Sequence, residues 1–186
     1  VILVDGQRVT EDQLGIGMVV VVSGTVNDDG VTGIAERVTY DEEVEGPIDS
    51  IERDQDGDSM LLVVAGQEVI AERTGTVFED VSFDTLAVGD AVEVSGFPNG
   101  EGQLRATRIE KEGEFVPGVT EVEVEGVVTE LTATEFVLRG LIVDYSNADL
   151  SDVPGGELRE GMQVEVYGTL ENNRIQASRI EEEDSV

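Results

Sequence analysis

Gly17-Met18-Val19-Val20-Val21-Val22-Ser23-Gly24, Gly89-Asp90-Ala91-Val92-Glu93-Val94-Ser95-Gly96 and Gly161-Met162-Gln163-Val164-Glu165-Val166-Tyr167-Gly168 are three copies of one stretch. A Leu stands three residues before each first glycine (Leu14, Leu86, Leu158), and an Ala-x-Arg-Val/Ile signature follows at 35–38, 106–109 and 177–180. The first glycines lie 72 residues apart in both intervals, which marks an internal repeat. Val164 and Val166 alternate with Gln163 and Glu165, as in a strand with one buried face. Beside the third Arg the phase slips: Ile175 and Ala177 alternate but Ile180 is out of step, which predicts a β-bulge near the arginine.

Outward from this stretch the chain divides into a first repeat at 1–43, a second at 44–112, a linker at 113–118, a third at 119–182 and an acidic tail at 183–186. The second opens with Val44-Glu45-Gly46-Pro47-Ile48 and the third with the matching Val124-Glu125-Gly126-Val127-Val128. Each full repeat reads as three strands, a connection, and two closing strands, with Asn, Asp and Gly at the turns. Five short strands in about 65–70 residues suggest a small closed barrel or similar sandwich. The first repeat has no counterpart of the Val-Glu-Gly strand. Either that strand precedes Val1, the simpler account, or another chain supplies it, because an incomplete barrel exposes an unpaired edge. Val1, Ile2, Leu3 and Val4 are the residues expected beside that edge. The start at Val1, with no initiator Met or signal peptide, reads as a processed or incomplete product.

Composition narrows the chemistry. Forty-two acidic residues face eleven basic ones, of which only Lys111 is a lysine, and the formal charge is -31. So negative a surface repels phosphate backbones and makes nucleic acid a poor partner. It reads first as a solvated surface, then as adaptation to salt or diffuse binding of divalent cations. With neither His nor Cys, the common general bases, thiolate nucleophiles and most transition-metal ligand sets are missing. No apolar run approaches the ~18 residues of a membrane span.

The best metal candidate is Asp54-Gln55-Asp56-Gly57-Asp58-Ser59, where Asp54, Asp56 and Asp58 alternate around a glycine as a hard cation such as Ca²⁺ prefers. An EF-hand would need Glu at the twelfth position, which is Ala65, so the competing reading is a plain hairpin turn. Arg37, Arg108 and Arg179 recur with the repeat, and cross-strand pairing with a Glu such as Glu93 or Glu165 is expected of them before any anion site. Tyr40, Tyr145, Tyr167 and five Phe are too sparse for a stacking row. Carboxylate pairs arise by chance among 42 acids, and no catalytic residue is assigned.

The combined pattern of a Val-Glu-Gly strand, Leu-x-x-Gly-Met/Asp, Val-x-Val-x-Gly and Ala-x-Arg-Ile-Glu resembles a bacterial domain-of-unknown-function family with tandem repeats similar to the OB fold. The resemblance covers essentially the whole chain. It implies an envelope-associated or exported location, reached through a lipoprotein or secretory signal, and carries over no catalytic residue. The sequence therefore leads to an all-β chain of tandem five-stranded OB-like barrels, the first incomplete, with no enzymatic role. The expected function is that of an extracytoplasmic structural or interaction protein, in its sharper form a filament subunit whose first repeat a neighbour completes. The expected partners are copies of itself or other envelope proteins, with no nucleic acid and no membrane span. The alternative is a monomeric envelope module that binds Ca²⁺ or an oligosaccharide.

Overall fold

A computed structural model describes residues 1–4, 6–40 and 43–183. Asp5 and all of the acidic tail except Glu183 lie outside them. The chain is all-β, with 58% of residues in strands and 3% in helix. Four strands, β1 (Ile2–Val4), β2 (Gln7–Val9), β3 (Val20–Val26) and β4 (Gly33–Tyr40), form one sheet in the order β2-β1-β4-β3. The other twelve form a single second sheet. From the second repeat come β5 (Val44–Arg53), β6 (Ser59–Val64), β7 (Gln67–Glu72), β8 (Val77–Glu79), β9 (Asp90–Pro98) and β10 (Leu104–Glu114). From the third come β11 (Glu121–Val127), β12 (Glu135–Leu138), β13 (Leu141–Asp144), β14 (Asp149–Asp152), β15 (Gln163–Glu171) and β16 (Arg174–Glu182).

The thrice-repeated stretch supplies β3, β9 and β15, and the Ala-x-Arg signature supplies their antiparallel partners β4, β10 and β16. The bulge expected from the phase slip occurs in every copy. Arg37 faces Ser23 while Ala35 faces Gly24, so Glu36 is the extra residue, and Thr107 and Ser178 are its counterparts. Both repeated glycines follow from this geometry. The first of each pair (Gly17, Gly89, Gly161) has a φ between +82° and +92°, which an L side chain rarely adopts. At the second (Gly24, Gly96, Gly168), a Cβ would meet the carbonyl oxygen of Ile34, Arg105 or Gln176 well inside 3.0 Å.

In the second repeat the pairings run from β5 through β6, β7, β10 and β9 back to β5. In the third they run from β12 through β13, β16 and β15 to β11, with the single bridge between Thr129 and Val137 closing toward β12, and Val44 and Glu45 of β5 pair with Val124 and Glu123 of β11. β5 thus bonds to β9 on one edge and to the next repeat on the other, which makes the strands of the second and third repeats one continuous sheet. This corrects the expectation of tandem closed OB-like barrels: the chain is a β-solenoid of stacked coils, hydrogen-bonded coil to coil. The connection between these coils is short as well, since β10 continues through Glu114 into the expected linker.

Alternation fills the interior. Val92, Val94, Val124, Val164 and Val166 have no exposed surface and pack with Leu62, Val69, Ile109, Phe136, Ile175 and Ile180. The first repeat is arranged differently. Its Val4-x-Gly6-Gln7-x-Val9 matches Val64-x-Gly66-Gln67-x-Val69, so the β1–β2 hairpin corresponds to β6–β7. Yet β1 runs parallel beside β4, whereas in the later repeats the third strand holds that place (β7 beside β10, β13 beside β16). β6 is held between β5 and β7, whereas among the described residues β1 lies between β2 and β4. The first sheet is fastened to the second repeat by Thr107 Oγ1, which donates to the Gly17 carbonyl at 2.6 Å, and by Tyr40, 1% exposed, whose hydroxyl shares a 2.7 Å hydrogen bond with Ser95.

Candidate functional site

Two features stand apart from the packed core. The first is the outer edge of β3. All seven of its residues are exposed, Val21, Val22 and Val26 at 62%, 58% and 71%. Their neighbours are few because β3 pairs with β4 alone among the described residues. The corresponding edges of β9 and β15 are covered. Val44 and Gly46 of β5 lie opposite Val94 and Val92, and Val124 and Gly126 of β11 lie opposite Val166 and Val164. Val20 and Val22 of β3 hold the positions of those fully buried valines. Val21 stands where the later copies carry Glu93 and Glu165, so β3 is uncharged along its length, with Val20, Val22 and Val26 on one face and Val21 beside Ser23 and Thr25 on the other. A long apolar edge of this kind is a template for strand addition. Val1, Ile2, Leu3 and Val4 do not form it: β1 is flanked by β2 and β4, and the open edge is one strand away from β4 on the other side.

The second feature is a ladder of carboxylates on the outer face where the two coils join. Glu110, Glu93, Glu45 and Glu123 lie directly opposite one another across β10, β9, β5 and β11, and Tyr167 and Arg179 continue the row. Like charges so placed repel, and the surroundings offset this in several ways. Tyr40 donates its hydroxyl proton to Glu93 Oε1, and Tyr167 donates to Glu165 Oε2 at 2.7 Å. Arg108, its side chain 5% exposed, pairs with Glu110 at 2.7 Å and with Glu79. Burial, and then the negative charge of Glu125, push the Glu43 carboxyl up to about 7. Burial likewise raises the Tyr167 hydroxyl, helped by the Glu123 charge. Carboxylate oxygens of Glu93, Glu110 and Glu112 come within 4.8 Å of one another, the one such group among the described residues. Three converging carboxylates are donors that suit a hard divalent cation.

The acidic segment singled out from the sequence is a hairpin turn between β5 and β6. Asp54 accepts hydrogen bonds from the Asp58 amide at 2.9 Å and the Ser59 hydroxyl at 3.1 Å. These bonds, that of the Ser59 backbone foremost, hold its carboxyl below the ordinary range. Arg73 reaches over the turn and donates from Nε to the Gly57 carbonyl at 3.0 Å. Asp54, Asp56 and Asp58 do not converge as Glu93, Glu110 and Glu112 do. Two of the repeated arginines make ion pairs, though with other partners than Glu93 or Glu165. Arg108 takes Glu79 and Glu110, and Arg179 takes Glu181 while lying over the Tyr167 ring with 3.8 Å to its centroid. Arg37 is exposed on β4. The carboxylate ladder escaped the sequence reading. Its residues alternate outward along their strands, but only the register between strands sets them side by side.

No described helix is long and apolar enough to cross a membrane. The profile of a protein family, described as a domain of unknown function (DUF5666), matches residues 45–110 and 125–181, one segment in each of the two stacked coils. No curated protein matches the chain.

Proposed function

The chain belongs to the DUF5666 family of unknown function, and from that premise we propose a non-enzymatic, extracytoplasmic structural protein whose first repeat is completed by a neighbouring chain. In its full form this is a subunit of an extracellular filament. The observation that carries the reading is the uncovered edge of β3, set against the covered edges of β9 and β15. Fully burying a valine contributes about 1.5–3 kcal/mol, so Val20, Val22 and Val26 together give a neighbour a substantial gain. Contact between the first repeat of one copy and a different surface of the next is heterologous and propagates into an open array. The extracytoplasmic placement rests on the family resemblance of the repeat pattern. Light scattering of the full chain over a range of concentrations tests the reading. Association that grows with concentration is expected, and a monomer at high concentration would end it.

A second reading, Ca²⁺ binding by a monomeric module, is favoured by the convergence of Glu93, Glu110 and Glu112. Calorimetric titration with Ca²⁺ should then give heat that Glu112→Gln removes, and a silent titration would dismiss it. Sugar binding draws no such support, because Arg179 covers the Tyr167 ring.

A further inference from the structure

We infer that the edge of β3 accepts an antiparallel strand of the repeat's own opening type, x-Val-x-Gly-x-Val/Ile, donated by a neighbouring chain in a fixed register. The inference rests on the assembly reading and specifies the strand that reading needs.

The chain contains its own template twice. Where β15 meets β11, Val124 lies opposite Val166, Gly126 opposite Val164 and Val122 opposite Gly168. Where β9 meets β5, Val44 lies opposite Val94 and Gly46 opposite Val92. The repeat spacing carries Val166 and Val94 onto Val22, Val164 and Val92 onto Val20, and Gly168 onto Gly24. An incoming strand therefore sets a valine against Val22 and a glycine against Val20. Side chains of a strand alternate between faces, so a slip of one residue would move the incoming valines to the opposite face. This selects the register. The opening strands of the chain itself are engaged: β5 lies between β9 and β11, and β11 between β5 and β15. A second copy can therefore donate such a strand only by releasing it from these partners.

The outer face adds a second requirement. In the later copies that face carries Glu93, opposite Glu45, and Glu165, opposite Glu125, and in β3 it carries Val21. An opening strand brings glutamates to the outer face, as Glu45 and Glu123 do. With Val21 in place of a glutamate, β3 receives such a strand without the facing carboxylates that burden the inner junction.

The test uses the full chain and a fluorescently labelled peptide of residues 121–129, Glu-Val-Glu-Val-Glu-Gly-Val-Val-Thr. Fluorescence anisotropy should show saturable binding. A peptide with Val124→Asp, and one with the same residues scrambled, should bind at least about tenfold more weakly, a difference of ~1.4 kcal/mol. Val22→Asp in the chain should weaken binding as much, and the peptide variants keep this independent of the folding of the altered chain. The unlabelled peptide should also suppress concentration-dependent association of the chain. If the chain associates but the peptide neither binds nor competes, the donated strand is of another kind, β3 of a second copy included; this inference falls and the assembly reading stands. If the chain neither associates nor binds the peptide, both fall together.

Discussion

At Gly96 the bulge at Thr107 turns the Arg105 carbonyl toward the neighbouring strand, leaving no room for a methyl group. Overpacking of this sort costs about 1–3 kcal/mol, and Gly96→Ala should lower the midpoint of urea unfolding accordingly. Gly168→Ala should do the same in the third repeat, where Gln176 crowds the site. Glu43 makes a different kind of demand. Its carboxyl titrates near 7 in the folded chain against an ordinary 4.5, because burial disfavours its charge. The unfolded chain releases this proton first, so the stability that protonated Glu43 contributes is full below pH 4.5 and is lost as pH rises through 7. Thermal melts should show Glu43→Gln flattening that decline and exceeding the parent in stability at higher pH. A Gln variant that follows the parent curve would remove Glu43 as its source.

The same strand meets opposite fates in different repeats. Val94 of β9 and Val22 of β3 are equivalent in sequence, but Val94 has no exposed surface and Val22 is 58% exposed. Val94→Asp would bury an unpaired charge and should abolish cooperative unfolding. Val22→Asp should move stability by no more than about 0.5 kcal/mol, as exposed substitutions do. Circular dichroism melts of the two variants compare these directly, and equal losses would mean that β3 is already covered. Much at this scale was legible in the sequence. The repeat gave the three strands, the slipped phase of Ile175, Ala177 and Ile180 gave the bulge, and the lack of a Val-Glu-Gly strand pointed to an open edge. The position of that edge was not legible. Val1, Ile2, Leu3 and Val4 were the expected residues, but β1 found a partner in β4, and β3 was left with one side bare. Periodicity says which face of a strand is apolar and leaves its neighbour undetermined.

The whole molecule joins two coils through β5 and β11 and carries an open first sheet. Five strands per repeat suggested separate barrels, and the coil-to-coil pairing of Val44 with Val124 lay beyond that reading because no motif specifies which edges meet between repeats. The carboxylate ladder was hidden for the same reason. With a charge of -31 the chain repels its own copies, and β3 is an uncharged strip in that surface. Added salt shortens the reach of the repulsion, from about 30 Å at 0.01 M to about 8 Å at 0.15 M, and should favour association through β3. Amide hydrogen exchange at moderate salt, read at Val20–Val26 in dilute and concentrated samples, tests the central claim most directly. Protection should appear in β3 as concentration rises, while the amides of β9 and β15 stay protected throughout. Fast exchange along β3 at every concentration would contradict the claim that a neighbouring chain completes the first repeat.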